Sequence, residues 1–252
     1  MRFTSLGSGS KGNATLIASQ QSCVMIDCGF GLKDMQRRLE SKSFLAEHIS
    51  AIVVTHEHSD HIRGVAAFAK KYAIPVWLTR GTATHASISK LEAVHYIDVH
   101  ASFSIGDLEV VPFPVPHDAK EPCQFVISNG KKKLGVLTDT GSITPHITQQ
   151  LNACHGLILE CNHDEDMLAD GPYPDYLKQR VGSDYGHLNN TQAAQLLAGT
   201  DTSQLQHIVA AHISEKNNNP ALAQSVLSEV LNCEYDDIIL AEQDTGFDWL
   251  NL

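Results

Sequence analysis

The sequence has few basic residues for its length, and this shortage limits how it can bind nucleic acid. It contains 18 Lys and Arg against 29 Asp and Glu in 252 residues, which gives a formal net charge of −11. A protein that coats nucleic acid without sequence preference needs a basic surface, because its affinity comes from neutralised phosphates. The composition argues against such a coat. It leaves open a local site at which metal ions and a few basic side chains supply positive charge.

Segments that would direct the chain to a membrane are also missing. No stretch approaches the roughly 18 uninterrupted apolar residues of a membrane span. The first residues, MRFTSLG, lack the basic region, apolar run and small-residue cleavage site of a signal peptide. We therefore expect the protein to stay in the cytoplasm and to have no membrane partner.

The cysteines form no C-x-x-C pair. They are scattered along the chain as Cys23, Cys28, Cys123, Cys154, Cys161 and Cys233. In a reducing compartment, scattered cysteines are most simply buried thiols. We therefore predict free thiols rather than disulfides.

Short apolar runs alternate with amphipathic segments along the whole chain. The apolar runs at 51–54, 134–137, 157–159 and 208–211 are typical of buried strands. Apolar residues recur at helical spacing over 62–69 and 222–230, and Asn219 and Pro220 mark the start of the second helix as N-cap and first residue. No linker interrupts the alternation, so we expect one α/β domain over residues 1–252, with helices covering sheet layers.

A glycine-rich segment near the N-terminus has two interpretations. Residues 7–12, GSGSKG, fit the G-x-G-x-x-G pattern of dinucleotide-binding proteins, and Asp27 lies 20 residues beyond the first glycine. A dinucleotide site needs a helix that begins at the last glycine, so that its N-terminus meets the pyrophosphate. Residues 14–17 and 23–27 are instead typical of strands. We therefore predict a tight turn between two strands that can line a site.

The segment THEHSDH, at residues 55–61, places three imidazoles and a free carboxylate directly after a predicted buried strand. His56 and His58 are two residues apart in extended chain, so their side chains project to the same side and can bind one ion. Asp60 and His61 stand where the chain turns towards its helix and can reach a second ion. A polar loop with accidental histidines does not account for four ligand-type side chains at this position.

This H-x-H-x-D-H pattern resembles the signature of the metallo-β-lactamase superfamily, in which the remaining metal ligands follow in a set order. His117, Asp139 and His212 each follow a predicted strand and fit that order. Strand ends are where an α/β architecture gathers its site. The resemblance implies a four-layer αβ/βα sandwich with two mixed sheets, and a metal site at one edge between the sheets.

The resemblance also implies that two divalent metal ions share these ligands. One ion is assigned to His56, His58 and His117, the other to Asp60, His61 and His212, and Asp139 bridges both. Imidazoles with carboxylates suit zinc, and also manganese or iron, so the metal stays open. His58 argues against oxygen reduction, because the di-iron branch of the superfamily typically has a glutamate at that position.

A narrower resemblance covers nearly the whole chain. It is carried by LGSGSKGN at 6–13, LECNHD at 159–164, GPYP at 171–174, DYGHLNN at 184–190 and AHIS at 211–214. These segments are similar to the WalJ/YycJ group, which is related to ribonuclease J and tRNase Z. The group is associated with exonuclease activity on DNA, and the resemblance implies the 5′ to 3′ direction. Cys161 is a departure, since a serine or alanine is expected there.

His187 is the candidate substrate contact outside the metal ligands. Its Gly-His-Leu-Asn setting resembles the Gly-His-Ala-Ser of ribonuclease J, where the histidine contacts substrate phosphate. It also lies three residues before Asn190, a predicted helix N-cap in the substrate site, and the amides of a helix start favour an anion nearby. Lys178 and Arg180 precede it and are candidates for contact with a nucleic-acid backbone. The alternative is that all four are ordinary surface residues.

Two further features each admit two explanations. Glu160, at a predicted strand end, either orients a histidine ligand or forms an ordinary salt bridge. Lys131, Lys132 and Lys133 follow Asn129-Gly130, a strong hairpin signal. For these lysines, exposure on a hairpin is favoured over a role in nucleic-acid binding.

The ligand set and His187 together favour hydrolysis of a phosphodiester in DNA or RNA. In this reading Asp60 orients the attacking water, and His187 donates a proton to the leaving oxygen. One alternative is a small-molecule hydrolase of the same fold, acting on a diester or a thioester, although a thioesterase has no evident need for the segment 178–190. Another is a non-catalytic regulatory or nucleic-acid-binding protein stabilised by its metals. The sequence leaves the choice of DNA or RNA and the oligomeric state open.

Overall fold

The computed structural model describes residues 1–89 and 91–252. Its strands, in chain order, are β1 (Arg2–Gly7), β2 (Ala14–Ala18), β3 (Cys23–Ile26), β4 (Ala51–Val53), β5 (Val76–Leu78), β6 (Val94–Tyr96), β7 (Phe103–Ile105), β8 (Leu108–Pro114), β9 (Cys123–Ser128), β10 (Lys133–Leu137), β11 (Gly156–Glu160), β12 (His207–Ala211), β13 (Ile238–Leu240) and β14 (Phe247–Asn251). The α-helices are α1 (Leu32–Ser41), α2 (Ser59–Ile62), α3 (Val65–Tyr72), α4 (Arg80–Ala83), α5 (Pro145–Leu151), α6 (Glu165–Asp170), α7 (Asp175–Val181), α8 (Asn190–Ala198) and α9 (Pro220–Leu231).

The described strands form two mixed sheets of seven strands each. The first has the order β14-β1-β2-β3-β4-β5-β6, and the second has the order β13-β12-β11-β10-β9-β8-β7. Strands β3 to β6 are mutually parallel, as are β10 to β13, and the other neighbours pair antiparallel. The parallel strands of each sheet therefore end at one edge, which is where the predicted ligands follow them.

The two sheets pack face to face. One buried apolar cluster contains Phe3 and Val24 of the first sheet together with Phe125, Val136 and Val209 of the second. These side chains alternate along their strands with residues that face the opposite side of each sheet. The space between the sheets is thus filled by apolar side chains away from the edge that holds the ligands.

Helices cover the outer faces of both sheets. Met35 of α1 and Phe68 of α3 pack with the outer residues of the first sheet. Leu197 of α8 and Leu227 of α9 pack in the same way on the second sheet. The architecture is a four-layer αβ/βα sandwich, which confirms the fold expected from the sequence.

Local signals in the sequence were confirmed in most places. Residues 7–12 join β1 to β2 as a turn, and Asn129-Gly130 joins the antiparallel pair β9 and β10. Asn219 caps α9, with Pro220 as its first residue. The prediction for α8 was wrong by one position, because Asn189 is the N-cap and Asn190 is the first helical residue.

The remaining expectations concern the thiols and the membrane. All six cysteines are free; five are buried and Cys233 is partly exposed. Among the residues that the structure describes, no helix combines the length and the apolar character that spanning a membrane requires.

Candidate metal centre

Four strand ends bring predicted ligands to the same edge of the sandwich. His56 lies three residues after β4, His117 three after β8, Asp139 two after β10 and His212 directly after β12. Helix α2, which begins at Ser59, supplies two more ligands from its first turn. The site is therefore built from both sheets and from the connection that follows β4.

The imidazoles of these residues crowd together. The ring of His61 lies 4.2 Å from that of His56 and 6.1 Å from that of His212, measured between centroids. The rings of His58 and His117 are 4.9 Å apart. Such a concentration of rings at one edge has no explanation in apolar packing.

Donor atoms lie close together in sets that include the two ligand groups predicted from the sequence. Within each set the atoms lie within 4.8 Å of one another, and three of the sets are His56, His58 and His117; Asp60, His61 and His212; and His56, His61 and Asp139. A fourth set consists of Asp139, Glu160, His187 and His212, so His187 and Glu160 also lie within reach of the cluster. The Asp139 carboxylate lies 3.3 Å from Nε2 of His61 through Oδ2 and 3.5 Å from Nε2 of His212 through Oδ1. The structure brings all seven predicted ligands together, and Asp139 lies beside His61 and His212 of the second predicted set and within 4.8 Å of His56 of the first.

Each ligand imidazole has a partner for one ring nitrogen, and two of these partners are buried carboxylates. Nδ1 of His61 lies 2.7 Å from Oδ2 of Asp27, and Nδ1 of His212 lies 3.1 Å from Oε1 of Glu160. Metal-binding histidines commonly donate their second N–H in this way, which fixes the tautomer and the ring orientation. In both residues Nε2 is left for an ion.

Two of the other three imidazoles follow the same rule with different partners, and His58 differs. Nδ1 of His56 lies 3.0 Å from the hydroxyl of Thr55, and Nδ1 of His117 lies 3.0 Å from the carbonyl oxygen of Gly186. His58 is turned the other way, with Nε2 3.7 Å from Asp118 and Nδ1 3.2 Å from Nε2 of His117. His58 therefore presents Nδ1, and His56 and His117 present Nε2, to a common centre.

The donor set fits divalent metal ions. Three of its buried atoms have no hydrogen-bond partner in the described structure, namely Nε2 of His56, Nε2 of His212 and Oδ2 of Asp139. A buried polar atom without a partner costs free energy, so such atoms are rare unless something else satisfies them. Imidazole nitrogens and carboxylate oxygens are the ligands that zinc and related ions prefer. His/Asp clusters capable of holding divalent metal are thus present.

The electrostatics of the cluster favour positive charge at its centre. Burial alone would lower the pKa of His61, but the carboxylates of Asp139, Asp60 and Asp27 raise it well above its usual value. The pKa of His212 is raised to about 10 against the same effect of burial, chiefly by Asp139. These carboxylates would stabilise a cation in the same position.

Asp27 is a site residue that the sequence analysis missed. It is buried, and besides His61 it accepts hydrogen bonds from the backbone N–H of Thr55 at 2.8 Å and from its hydroxyl at 2.9 Å. It thereby connects the ends of β3 and β4 to a ligand. The signal in the sequence is a carboxylate directly after a buried strand, which we used only to test the dinucleotide pattern.

Glu160 joins the metal cluster to His187. Its carboxylate is fully buried and lies 2.8 Å from Nδ1 of His187 and 3.1 Å from Nδ1 of His212. It also accepts hydrogen bonds from the backbone N–H groups of Thr140 and Leu188, each at 3.1 Å. Burial would raise the pKa of Glu160, but His187 and His212 lower it to about 2. The suggestion that Glu160 orients a histidine ligand agrees with these contacts.

The glycine-rich turn helps to position the ligands. The backbone N–H of Asn13 donates to the carbonyl oxygen of Asp60 at 2.8 Å, and its side-chain amide lies 3.2 Å from Nε2 of His61. The backbone N–H of His212 donates to the hydroxyl of Ser8 at 3.0 Å. A Cβ at Gly29 would come within 1.6 Å of the same Asp60 oxygen, so this close approach requires glycine.

A cavity of about 380 Å³ opens beside the cluster. Its walls include Asp60, Asp139, His212 and His187, together with Arg180 of α7. This volume lies at the lower end of the roughly 300–1,000 Å³ of small-ligand pockets. Two of the four predicted substrate contacts, His187 and Arg180, therefore face the same space as the metal ligands.

The other two predicted substrate contacts point elsewhere. The ammonium of Lys178 donates to the carbonyl oxygen of Ala169 at 2.5 Å, at the end of α6. The side chain of Asn190 is buried and exchanges two hydrogen bonds of 2.9 Å with Asn218. Neither is among the described residues that line the cavity. Lys178 lies about 100° around the helix from Leu177, which does face the cavity.

The lysine hairpin is remote from the ligands. Lys131 is exposed, and Lys133 begins β10 and donates to the carbonyl oxygen of Asn152 at 3.1 Å. Asp139 follows the opposite end of the same strand. At about 3.3 Å per residue, this separation is roughly 20 Å. The position agrees with exposed hairpin lysines rather than with a part of the site.

Comparison with known proteins identifies the family. Residues 23–213 match the β-lactamase superfamily domain. In overall fold the chain is similar to the metallo-β-lactamase fold protein YhfI from Bacillus subtilis, with a TM-score of 0.77, 15% identity and 99% of both chains covered. The chain therefore belongs to the metallo-β-lactamase superfamily and is a metal-dependent hydrolase by fold and site.

Within that superfamily, two curated relatives that match nearly the whole chain are named exonucleases. The chain is 35% identical over 237 residues to Exodeoxyribonuclease YycJ of Bacillus anthracis, covering 92% of this chain and 89% of the relative. It is 31% identical over 232 residues to Exodeoxyribonuclease WalJ of Streptococcus pneumoniae, covering 90% and 86%. These matches confirm the resemblance to the WalJ/YycJ group and support a nuclease of this fold.

Proposed function

We propose that this chain is a dinuclear metal-dependent phosphodiesterase that degrades DNA from its ends in the 5′ to 3′ direction. The observation that carries the proposal is the shared cavity, in which the two ligand sets meet His187 and Arg180. The choice of DNA and of an exonuclease is supported by the names of the relatives. The direction is supported by the resemblance alone.

The proposed ligands are His56, His58 and His117 for one ion, Asp60, His61 and His212 for the other, and Asp139 for both. Two divalent ions, which we take to be zinc, manganese or iron, would supply a hydrolytic nucleophile near neutral pH and offset charge on the phosphoryl group. Asp60 would orient the attacking water from its place at the cavity wall. Residues 1–252 would act as one hydrolase domain.

His187 is proposed to contact the phosphate and to supply a proton to the leaving oxygen. Its Nδ1 is held by Glu160 at 2.8 Å, so Nε2 is the nitrogen left to face the cavity. A side chain that is oriented by a buried carboxylate and partly exposed to the cavity suits general acid catalysis. Arg180 would bind a phosphate oxygen, because its guanidinium is oriented by Asp118 at 2.5 Å.

A small-molecule phosphodiesterase of the same fold is the second candidate, and the volume of the cavity favours it. A space of about 380 Å³ accommodates one small ligand rather than a length of duplex. An exonuclease that admits a single terminal nucleotide would have the same requirement. A non-catalytic protein has less support, because a purely structural ion does not need an open cavity beside its ligands.

The test uses single- and double-stranded DNA and RNA, each with a 5′-phosphate or a 5′-hydroxyl, labelled at one end or the other. The purified protein is incubated with each substrate in manganese or zinc. We expect mononucleotides to be released from the 5′ end of DNA, and Asp139→Ala to abolish this release. Hydrolysis of cyclic or small diesters without any cleavage of nucleic acid would favour the second candidate. Release from the 3′ end would refute only the direction.

A further inference from the structure

Tyrosines are concentrated beside the cavity. Three of the six in the sequence, Tyr173, Tyr176 and Tyr185, lie within 13 residues of one another. Tyr173 lines the cavity, whereas Tyr176 and Tyr185 are 73% and 62% exposed. These two are the most exposed large apolar side chains in the described part of the chain. Aromatic rings so open to water commonly mark a surface that binds something.

Both exposed tyrosines neighbour Arg180, a residue that lines the cavity. Tyr176 and Arg180 are four residues apart on α7 and therefore lie on neighbouring positions of one helix face. Nε of Arg180 donates to Oδ2 of Asp118 at 2.5 Å, and the backbone N–H of Asp118 donates to the carbonyl oxygen of Tyr185 at 3.0 Å. Arg180 is thus linked to Tyr176 through the helix and to the backbone of Tyr185 through Asp118. We call Tyr176, Arg180 and Tyr185 the tyrosine rim.

The backbone beneath this rim is fixed. The carbonyl oxygen of Gly186 lies 3.0 Å from Nδ1 of the ligand His117, and the backbone N–H of His187 donates to the carbonyl oxygen of Val181 at 2.9 Å. A Cβ at Gly186 would come within 2.2 Å of that Val181 oxygen, so the loop packs against the end of α7 as only glycine allows. The rim is held by the same loop that supports a metal ligand.

Given the proposed function, we infer that the tyrosine rim binds unpaired bases next to the scissile phosphate, so that the enzyme takes single-stranded ends in preference to paired ones. Every base has a π-face, and stacking on tyrosine is tolerant of sequence. Arg180, next to Tyr176 on α7, binds the adjoining backbone of the strand. Paired bases stack within their duplex, so their faces are not free for the tyrosines. The acidic net charge of −11 makes stacking more important here than a basic groove.

The charge pattern favours a nucleic acid over a protein partner. The lysine and the arginine that line the cavity, Lys216 and Arg180, are exposed, whereas the carboxylate of Asp139 is buried and that of Asp60 is partly buried. The ammonium of Lys216 is 5.7 Å from the centre of the Tyr173 ring. A strand entering past the rim would therefore meet aromatic rings and cations before it reached the metal ligands.

Binding is measured with the purified protein in excess chelator, so that no strand is cut. Fluorescence anisotropy gives Kd for a labelled single-stranded oligonucleotide, a blunt duplex and a duplex with a 5′ overhang. Tyr176→Ala and Tyr185→Ala should each weaken single-strand binding about 5- to 150-fold, the range of one lost base stack. Tyr176→Phe should restore it, because the ring is sufficient. Tyr235→Ala, which removes another exposed tyrosine far from the cavity, should bind as the wild type does.

Activity separates this inference from the function on which it rests. With metal restored, the alanine variants should lose much more kcat/KM on the overhanging and single strands than on bis-p-nitrophenyl phosphate. If the wild type cleaves DNA and the alanine variants bind and cut it equally well, the role of the tyrosine rim is refuted and the proposed nuclease activity is not. A wild type without action on nucleic acid would overturn both. A change of oligomeric state in the variants, with strand binding unaffected, would make the rim a protein interface and refute the inference.

Discussion

Replacement of Asp27 by asparagine tests whether the buried carboxylate controls a metal ligand. The two side chains have the same shape, so the core around position 27 should keep its packing. Asp27 accepts three hydrogen bonds, two from Thr55 and one from Nδ1 of His61 at 2.7 Å. An amide has one oxygen and one NH₂ group, so it cannot accept all three.

The expected result follows from the tautomer of His61. If the amide oxygen keeps the bond to the Thr55 N–H, its NH₂ group faces Nδ1 of His61, which must then lose its proton. A neutral imidazole in that state carries its proton on Nε2, the nitrogen that faces Asp60 and Asp139. A protonated Nε2 cannot bind a metal ion. The opposite orientation of the amide places two donors against each other at Thr55.

A residue that accepts a hydrogen bond from a metal-binding histidine typically contributes 10- to 100-fold to metal affinity, which is about 1.4–2.7 kcal/mol. We therefore expect Asp27→Asn to weaken the ion held by Asp60, His61 and His212 by at least that factor. The ion held by His56, His58 and His117 should be retained. Metal analysis after dialysis against graded chelator concentrations measures the two affinities. Asp248→Asn, which removes a carboxylate whose side chain is 96% exposed, controls for the change of charge.

A result of two ions bound with unchanged affinity in Asp27→Asn would refute this reasoning. It would mean that the tautomer of His61 is set by the ion itself and not by the buried partner. Loss of both ions with a lower melting temperature would indicate general disruption. Far-UV circular dichroism and thermal unfolding of the metal-free variant separate that outcome from the specific one.

The same geometry leads to predictions for metal removal, for His187 and for pH. Removing the metals should lower the melting temperature by about 8–16 °C per site, because free metal at a thousand times its Kd stabilises the folded protein by roughly 4 kcal/mol. Calorimetry with and without chelator measures the melting temperature, and an unchanged value would contradict the prediction. His187→Ala should keep both ions but lose about 10- to 100-fold in kcat/KM on nucleic acid, because it removes a charge-assisted hydrogen bond. A lost ion would instead make His187 a ligand. Burial lowers the pKa of His163 from 6.5 to about 4 in the folded protein. Between these two pH values the unfolded chain binds more protons than the folded one, so the free energy of unfolding falls as the pH is lowered. Between pH 8 and pH 5 the metal-free protein should lose about 2 kcal/mol of its free energy of unfolding through His163. Denaturant titrations of His163→Gln should show a loss that is smaller by this amount.

The sequence indicated which candidate ligands would lie together, because most of their signals are local. Three histidines and an aspartate within residues 55–61 identify themselves by spacing. His117, Asp139 and His212 are isolated in sequence, but each follows a recognisable strand, and parallel strands end at the same edge of a sheet. Strand periodicity and order were thus enough to bring distant ligands together.

The partners of the ligands were harder to predict, because their signals are not local. Asp27 follows a strand just as Asp139 does, and only the pairing of β3 with β4 places it beneath His61. Asp118 follows a ligand directly, yet its part in orienting Arg180 depends on the position of α7. The N-cap of α8, by contrast, was available in the sequence. Gln192 stands three residues after Asn189 and completes a capping box, whereas the residue three after Asn190 is Ala193.

The backbone conformation of this site could not be predicted from any pattern of residues in the sequence. Asp27, Asp139 and His212 all have positive φ, at 60°, 52° and 54°. Each stands just beyond the end of a strand, where a left-handed residue ends the extended conformation. Aspartate and histidine adopt this conformation more readily than most residues, but it still costs of order 1–3 kcal/mol at each position. Hydrogen bonds to Thr55, Glu160 and Ser8 hold Asp27 and His212 in place. Three of the seven non-glycine residues with positive φ in the described part of the chain are thus residues that we propose to bind or orient the metals.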